Sequence, residues 1–178
     1  MRKLLSLVGM ACVVIACNQP KQETTTSTTP AKPTPTEFDT TNIKSCKQAL
    51  LALSSGDVDA FTGNLADNAV YVWNAGDSIV GKPAILAYWK DRRGNVIDKL
   101  DIMTDIWLGI KVNESQQKGV NTGPYVFGWA MITASYKGGK SMTQWIHNIY
   151  HFDASGKVDR VIQFLDRAPI AAAMPAKK

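Results

Sequence analysis

Apolar residues recur at three- and four-residue spacing between Ile43 and Leu53, which predicts a helix with one apolar face. Gly56 follows this helix and suits a left-handed cap. Asp57 can then cap a second short helix that turns Phe61 toward the core. The folded part of the chain is therefore predicted to begin with two helices.

After these helices the apolar positions change to the two-residue alternation that is typical of strands. Short strands are predicted for 69–73 and 78–80, and a third helix begins at Gly81 with Pro83 in its first turn. Four longer strands are predicted near 98–112, 125–137, 141–153 and 157–166. Helices followed by an antiparallel sheet indicate an α+β fold with the helices packed on one face of the sheet.

The N-terminal segment 1–16 resembles a bacterial lipoprotein signal peptide. Two basic residues precede an apolar run over 4–16, which is shorter than the about 20 residues that a membrane-spanning helix needs. The run ends in Val14-Ile15-Ala16-Cys17, which is similar to a lipobox, so Cys17 is expected to carry lipid and to anchor the chain in a bilayer. A secretory signal without lipid is the alternative. Asn18 favours the outer membrane, and the predicted location is the bacterial cell envelope.

Residues 17–40 are rich in Thr and Pro and poor in apolar side chains, which predicts a disordered tether. Removal of 1–16 would take the formal charge from +5 to +3, because 18 basic and 15 acidic residues remain. No run of basic residues accompanies this small excess, so nucleic acid is not expected as a partner. Cys46 would lack an intrachain disulfide partner, and its helical context favours a buried structural thiol over a reactive one.

Four segments, in this order and spacing, resemble the nuclear transport factor 2-like superfamily, which includes ketosteroid isomerases, SnoaL-like polyketide cyclases and scytalone dehydratase. The segments are SGDVDAF (55–61), LADNAVY (65–71), VGKPAI (80–85) and FDASGKV (152–158). The resemblance covers 41–168 and leaves 169–178 as a C-terminal tail. It implies a cone-shaped α+β barrel, with N-terminal helices packed on a strongly curved antiparallel sheet around a cavity. It also implies a homodimer through the outer sheet face.

The isomerase branch of that superfamily uses three polar residues in the cone. They are a carboxylate base on the first strand, a tyrosine on the first helix and a protonated aspartic acid on a late strand. The matching positions here are Trp73, Ala49 and Asn148. The resemblance therefore argues against a ketosteroid isomerase and leaves open whether the protein is an enzyme. Asn148 can still donate a hydrogen bond into the cavity.

Alternation along the strands, counted from Trp73 and Asn148, predicts which side chains face the cavity. The predicted lining is Tyr71, Trp73, Trp129, Met131, Asn148, Tyr150 and Gln163. Aromatic and aliphatic walls with a few uncharged polar groups suit a small apolar or aromatic ligand, and no cofactor is expected. The alternative is that Trp73, Trp89 and Trp129 fill the cone.

Both histidines, His147 and His151, are predicted to lie on the outer face, where they fit a dimer interface. They would be about 13 Å apart along the strand, too far to share a metal ion, and no metal site is predicted. Asp77, near the expected mouth of the cone, and Asp105 are the candidate bases, with Asn148 as a hydrogen-bond donor. A solvated position on the rim is the alternative for each aspartate.

We therefore expect a lipid-anchored envelope protein whose cone binds a small apolar or aromatic molecule. One alternative is an enzyme of the polyketide cyclase, dehydratase or hydrolase kind that uses Asp77 or Asp105. The other is a non-catalytic protein-interaction module with a filled cone. A cavity above about 300 Å³ would favour a ligand or substrate over the filled cone.

Overall fold

The computed structural model of the protein describes residues 34–176. The predicted signal peptide over 1–16, the predicted lipid site at Cys17 and most of the predicted tether lie outside the described residues. Within 34–176, no helix combines the length and the apolar character needed to cross a membrane.

Seven strands of the described chain form one sheet. In chain order they are β1 Thr36–Phe38, β2 Leu65–Trp73, β3 Ser78–Val80, β4 Ile97–Val112, β5 Gly123–Tyr136, β6 Ser141–Phe152 and β7 Val158–Phe164. Across the sheet the order is β1-β4-β5-β6-β7-β2-β3. All neighbours are antiparallel except β2 and β7, which run parallel.

The helices are α1 Ile43–Ser55, α2 Val58–Thr62, α3 Lys82–Asp91 and α4 Arg167–Ala173, and a π-helical turn, Arg92–Val96, follows α3 directly. The first three helices pack on the inner face of the curved sheet, and the apolar core lies between the two layers. This is the predicted α+β arrangement, so the fold class is confirmed.

The predicted caps of the first two helices are present. Gly56 ends α1 with φ +90°, a left-handed conformation that costs glycine little. The Asp57 carboxylate accepts a 2.9 Å hydrogen bond from the backbone N–H of Ala60 and so caps α2. These caps bring Val58 and Phe61 against the core, where both are buried.

Strand β1 lies inside the segment that was predicted to be a disordered tether. Thr36 to Phe38 pair with Ile110 to Val112 at the outer edge of β4. An edge strand offers a row of free backbone hydrogen-bonding groups, and a three-residue segment with Thr and Phe is suited to pair with it. Residues 36–38 are therefore part of the sheet, and the prediction that the disordered tether extends to residue 40 is wrong.

The predicted C-terminal tail over 169–178 contains most of helix α4. Asp166 caps this helix by accepting a 2.8 Å hydrogen bond from the N–H of Ala168. At its other end, the carbonyl oxygen of Ala173 accepts a 2.7 Å bond from the N–H of Lys140 in the β5–β6 turn. A Cβ on Gly139 would collide with that carbonyl, so the close approach requires glycine. The helix is thus fixed at both ends.

Candidate functional site

A cavity of about 400 Å³ opens between the helices and the inner face of the sheet. It exceeds the roughly 300 Å³ lower bound for small-molecule sites, so the cone is not filled by its tryptophans. Its apolar walls include Leu50, Leu53, Ile97, Leu100, Ile132 and Ile146.

Five of the predicted lining residues do line this cavity. They are Tyr71, Trp73, Asn148, Tyr150 and Gln163. All five are buried, on β2, β6 or β7, where the parallel pairing of β2 with β7 sets Trp73 opposite Gln163. Gln163 is in turn opposite Asn148 on β6. The inward direction predicted for Trp73 and Asn148 is therefore correct.

Trp129 and Met131, also predicted to line the cavity, lie on the outer face of the sheet. Trp129 pairs with His147, and Met131 pairs with Trp145. Directly opposed residues of an antiparallel pair point to the same face, so these two cannot face inward while Asn148 does. The signal was available in the sequence, because the glycine-containing turn at 137–140 fixes the register of the hairpin.

The inner-face positions that replace them are small, and this leaves room for a tryptophan from β4. Gly128 lies opposite Asn148, and a Cβ there would collide with the indole ring of Trp107. The Trp107 ring stacks against Tyr150 with centroids 6.3 Å apart. Trp107 therefore covers this end of the inner face.

A connected group of aromatic rings forms one wall of the cavity. Tyr71 contacts Trp73 at 4.9 Å and Trp89 at 5.9 Å between ring centroids. Tyr88 contacts Trp73 at 5.1 Å and Trp89 at 5.4 Å. Each of the four rings contacts two others, so together they form one continuous aromatic surface.

The polar groups inside the cavity are uncharged and only partly bonded. Trp73 Nε1 donates a 3.0 Å hydrogen bond to Gln163 Oε1. Within 34–176, Asn148 Oδ1 and Trp89 Nε1 are buried without any hydrogen-bond partner. Burial raises the pKa of Tyr71 and Tyr150, so both are neutral phenols. Buried polar atoms usually have a hydrogen-bond partner, so these two atoms can bond to a molecule or water in the cavity.

The charged residues of the lining are at the mouth. Asp77 and Arg167 form an ion pair in which Arg167 Nη2 donates to both carboxylate oxygens, at 2.6 and 2.8 Å. Arg92 also lines the cavity. The prediction that Asp77 lies near the mouth is correct, and its side chain is 53% exposed.

Helix α4 forms part of the wall at this end, through Ile170 and Ala171. The connection before it is held by Gln144, which accepts a 2.9 Å bond from the N–H of Asp166 and donates a 3.1 Å bond to its carbonyl oxygen. The C-terminal helix therefore belongs to the site.

Asp105 does not line the cavity, so it is not a candidate base there. Its carboxylate accepts a 2.7 Å bond from Trp107 Nε1 and pairs with Lys47 of α1 at 3.2 Å. Asp105 lies opposite Ala130 and so shares the inner face with Trp107, but there it is occupied by Lys47 and Trp107 rather than facing the cavity. The bulge between Ile102 and Thr104 removes only Met103 from the predicted shared face.

The remaining candidate residues have structural roles. Cys46 is buried, and burial raises its pKa to about 12, which keeps the thiol protonated. His151 is buried on the outer side between Asp159 and the carbonyl oxygen of Thr122. Within the described range, no group of His, Cys, Asp and Glu side chains has the arrangement of a metal site.

The sequence reasoning did not single out Arg92. Ile85, Trp89 and Arg92 follow one another at four- and three-residue spacing, so they share one face of the helix. Ile85 and Trp89 are buried, and this spacing could have placed Arg92 beside them.

Comparison with known proteins supports the fold alone. No family model matches the chain. No curated protein matches it either. Solved structures do match, among them a nuclear transport factor 2-like protein of unknown function from Burkholderia pseudomallei, with 13% identity and a TM-score of 0.60 over 76% of this chain and 98% of that one.

Two further matches carry the name of an activity. A candidate polyketide cyclase from Pseudomonas putida has 12% identity and a TM-score of 0.56, covering 72% of this chain and 93% of that one. An LEH-like epoxide hydrolase from M. tuberculosis has 16% identity and a TM-score of 0.52, covering 72% and 85%. The domain therefore has the nuclear transport factor 2-like cone fold, an architecture that carries a pocket.

Proposed function

We propose that the protein is a lipid-anchored component of the bacterial cell envelope that binds a small apolar or aromatic molecule in its cone. The observation that carries the proposal is the cavity of about 400 Å³, whose walls are aromatic and aliphatic and whose buried Asn148 amide oxygen lacks a partner among residues 34–176. Concave apolar sites with a few polar groups are typical of small-molecule binding.

A direct test uses the neutral fluorescent probe N-phenyl-1-naphthylamine, whose emission rises in apolar surroundings. Ala134 is fully buried and lines the cavity, so Ala134→Phe should fill part of it and abolish the fluorescence increase. Thr133→Phe is the matched control, because Thr133 pairs with Thr143 on the outer face. Equal probe binding by the wild type and both variants would refute binding in the cone.

The lipid anchor is a separate part of the proposal and rests on the segment that ends at Cys17. Cys17→Ala should abolish incorporation of labelled palmitate and release the protein from the membrane fraction. Retention of the label in this variant would contradict the assignment of Cys17.

We also propose a homodimer through the outer sheet face. The Trp129 and His147 rings stack with centroids 4.4 Å apart and planes at 10°. Beside them Trp145 and Phe164 are 44% and 42% exposed. Such a contiguous apolar patch is unusual on a monomer, and aromatic residues are enriched at interface cores. Trp145→Glu should give a monomer by sedimentation, whereas Leu51→Glu, an exposed change on α1, should not.

Catalysis is the second candidate, favoured by the Asp77 carboxylate at the cavity mouth. In this alternative Asp77 removes a proton from a bound substrate, as in a cyclase, dehydratase or hydrolase, and Asn148 donates a hydrogen bond to the oxygen that gains charge. Turnover of an identified compound that Asp77→Asn abolishes, without a loss of binding, would establish this role.

A further inference from the structure

We infer that the ligand is an amphipathic anion, with an apolar body inside the cone and one carboxylate at the mouth, bound by Arg92. This inference rests on the proposed binding function and specifies the chemical class of its ligand. It follows from how charge is distributed around the cavity.

Charged lining residues are confined to the mouth, and two of the three already neutralise each other. Arg167 Nη2 lies 2.6 and 2.8 Å from the two carboxylate oxygens of Asp77. The third, Arg92, has no ion pair and no side-chain hydrogen bond within residues 34–176. Its neighbour Asp91, the nearest carboxylate in sequence, accepts a 2.8 Å bond from Asn95 instead. Among the three charged residues that line the cavity, Arg92 is therefore the one without an ion-pair partner in the described range.

The charge of Arg92 affects the pKa of two tyrosines that line the cavity, Tyr88 and Tyr136. Burial raises the pKa of Tyr88 and of Tyr136, and the positive charge of Arg92 opposes this rise at both residues. Arg167 acts on the pKa of Tyr88 in the same way, and the Asp77 and Asp91 carboxylates oppose the two guanidinium groups with smaller effects.

The side chains of Arg92 and its neighbour Arg93 make different contacts. The π-helical turn starts at Arg92, and the N–H of Ile97 bonds to the carbonyl oxygen of Arg92. Arg93 donates to the carbonyl oxygens of Ser54 and Ile97 at 3.1 and 3.2 Å, and so ties α1 to the start of β4. Arg93 therefore has a structural role, whereas the Arg92 side chain is available to a ligand in the cavity. Single π-helical turns occur frequently at functional sites.

The interior of the cavity favours an uncharged, apolar part of a ligand. It offers apolar walls and uncharged polar groups, of which the Asn148 side chain is only 2% exposed. Transfer of an ion into such surroundings without a counter-charge is costly, so a charged group will stay at the mouth. A single guanidinium suits a carboxylate, whose two oxygens match its two parallel N–H donors.

The test compares decanoate with decanol, which have the same alkyl chain and differ in the head group. Each displaces N-phenyl-1-naphthylamine from the wild-type protein and from Arg92→Gln. We expect decanoate to bind the wild type about 10-fold or more tightly than decanol, since a charge-assisted hydrogen bond contributes about 1.5–3 kcal/mol. Arg92→Gln should lose this preference and leave decanol affinity within about twofold, which also shows that the cavity has formed.

Lys90→Gln is the control for charge alone, because Lys90 is an exposed cation near the end of α3, two residues before Arg92. It pairs with Asp59 and does not line the cavity. The Lys90→Gln variant should keep the preference for decanoate. Equal affinity of the wild type for the two probes, or the same loss in both variants, would overturn the inference and leave the binding proposal intact. Failure of both probes and of the naphthylamine to bind would refute the binding proposal itself.

Discussion

Trp73 donates its indole N–H to the amide oxygen of Gln163 across the only parallel strand pair in the described sheet, at 3.0 Å. The two side chains are buried on the cavity wall, where they are only 6% and 5% exposed. The bond therefore holds an aromatic ring in place at the site where a ligand would contact it.

Removal of the acceptor should destabilise the domain. Gln163→Leu leaves the Trp73 N–H buried without a partner, which costs about 1–3 kcal/mol. We expect a loss of this size in the free energy of unfolding measured in urea. Gln48→Leu is the control, because Gln48 is exposed on α1 and its change should have less than about 0.5 kcal/mol of effect.

Gly128 should not tolerate a methyl group. Gly128→Ala places a Cβ against the Trp107 indole, which must move away from Tyr150. We expect a loss of about 1–3 kcal/mol and a changed tryptophan emission spectrum. Gly94→Ala introduces its Cβ into open space and should leave both properties unchanged. A Gly128→Ala protein with wild-type stability would contradict the close packing described for Trp107.

His147 should make the protein less stable in mild acid. Burial lowers its pKa below the ordinary 6.5. As the pH falls through about 6.5, the unfolded chain takes up this proton before the folded protein does, so the free energy of unfolding decreases. His147→Phe should reduce this loss between pH 7.5 and 5.5 while keeping the stack on Trp129. An unchanged pH dependence in the variant would assign the effect to other groups.

Asp77→Asn separates the two candidate functions. The change removes a negative charge from the mouth and frees Arg167 from its pair, so that two arginines of the lining lack an ion-pair partner. Decanoate affinity should therefore rise a few-fold and decanol affinity should not, as titration with each probe will show. The change in stability should stay below about 1 kcal/mol, because the pair is exposed. A fall in decanoate affinity would contradict the described charge balance.

Local patterns predicted most of the fold. Helix α1, the strand β3 and the four long strands follow from spacing that each segment contains by itself, and the cap at Asp57 needed only its neighbours. Strand β1 and helix α4 were missed because each depends on a distant partner. The sequence near Phe38 does not indicate that this segment pairs with the edge of β4. Helix α4 does have a local signal, because Asp166 three residues before Pro169 is a pattern typical of a helix start.

The site was harder to predict, because it depends on pairing between strands and on contacts between separate elements. Trp129 and Met131 were placed by alternation without reference to their partners on β6. Asp105 does share a face with Trp107, but its contact with Lys47 of α1 could not be predicted from alternation within one strand. Residues on β2, β6 and β7 were placed correctly where alternation applied without interruption.

The fixed position of α4 affects where the protein can be shortened or extended. Ending the chain at residue 168, the boundary that the sequence suggests, would remove Ile170 and Ala171 from the cavity wall and the carbonyl of Ala173 from its bond to Lys140. Such a protein would retain its whole sheet and still present an altered opening to any ligand. An affinity tag or fusion partner at the C-terminus should therefore be joined through a flexible linker that leaves Ile170 to Ala173 in place.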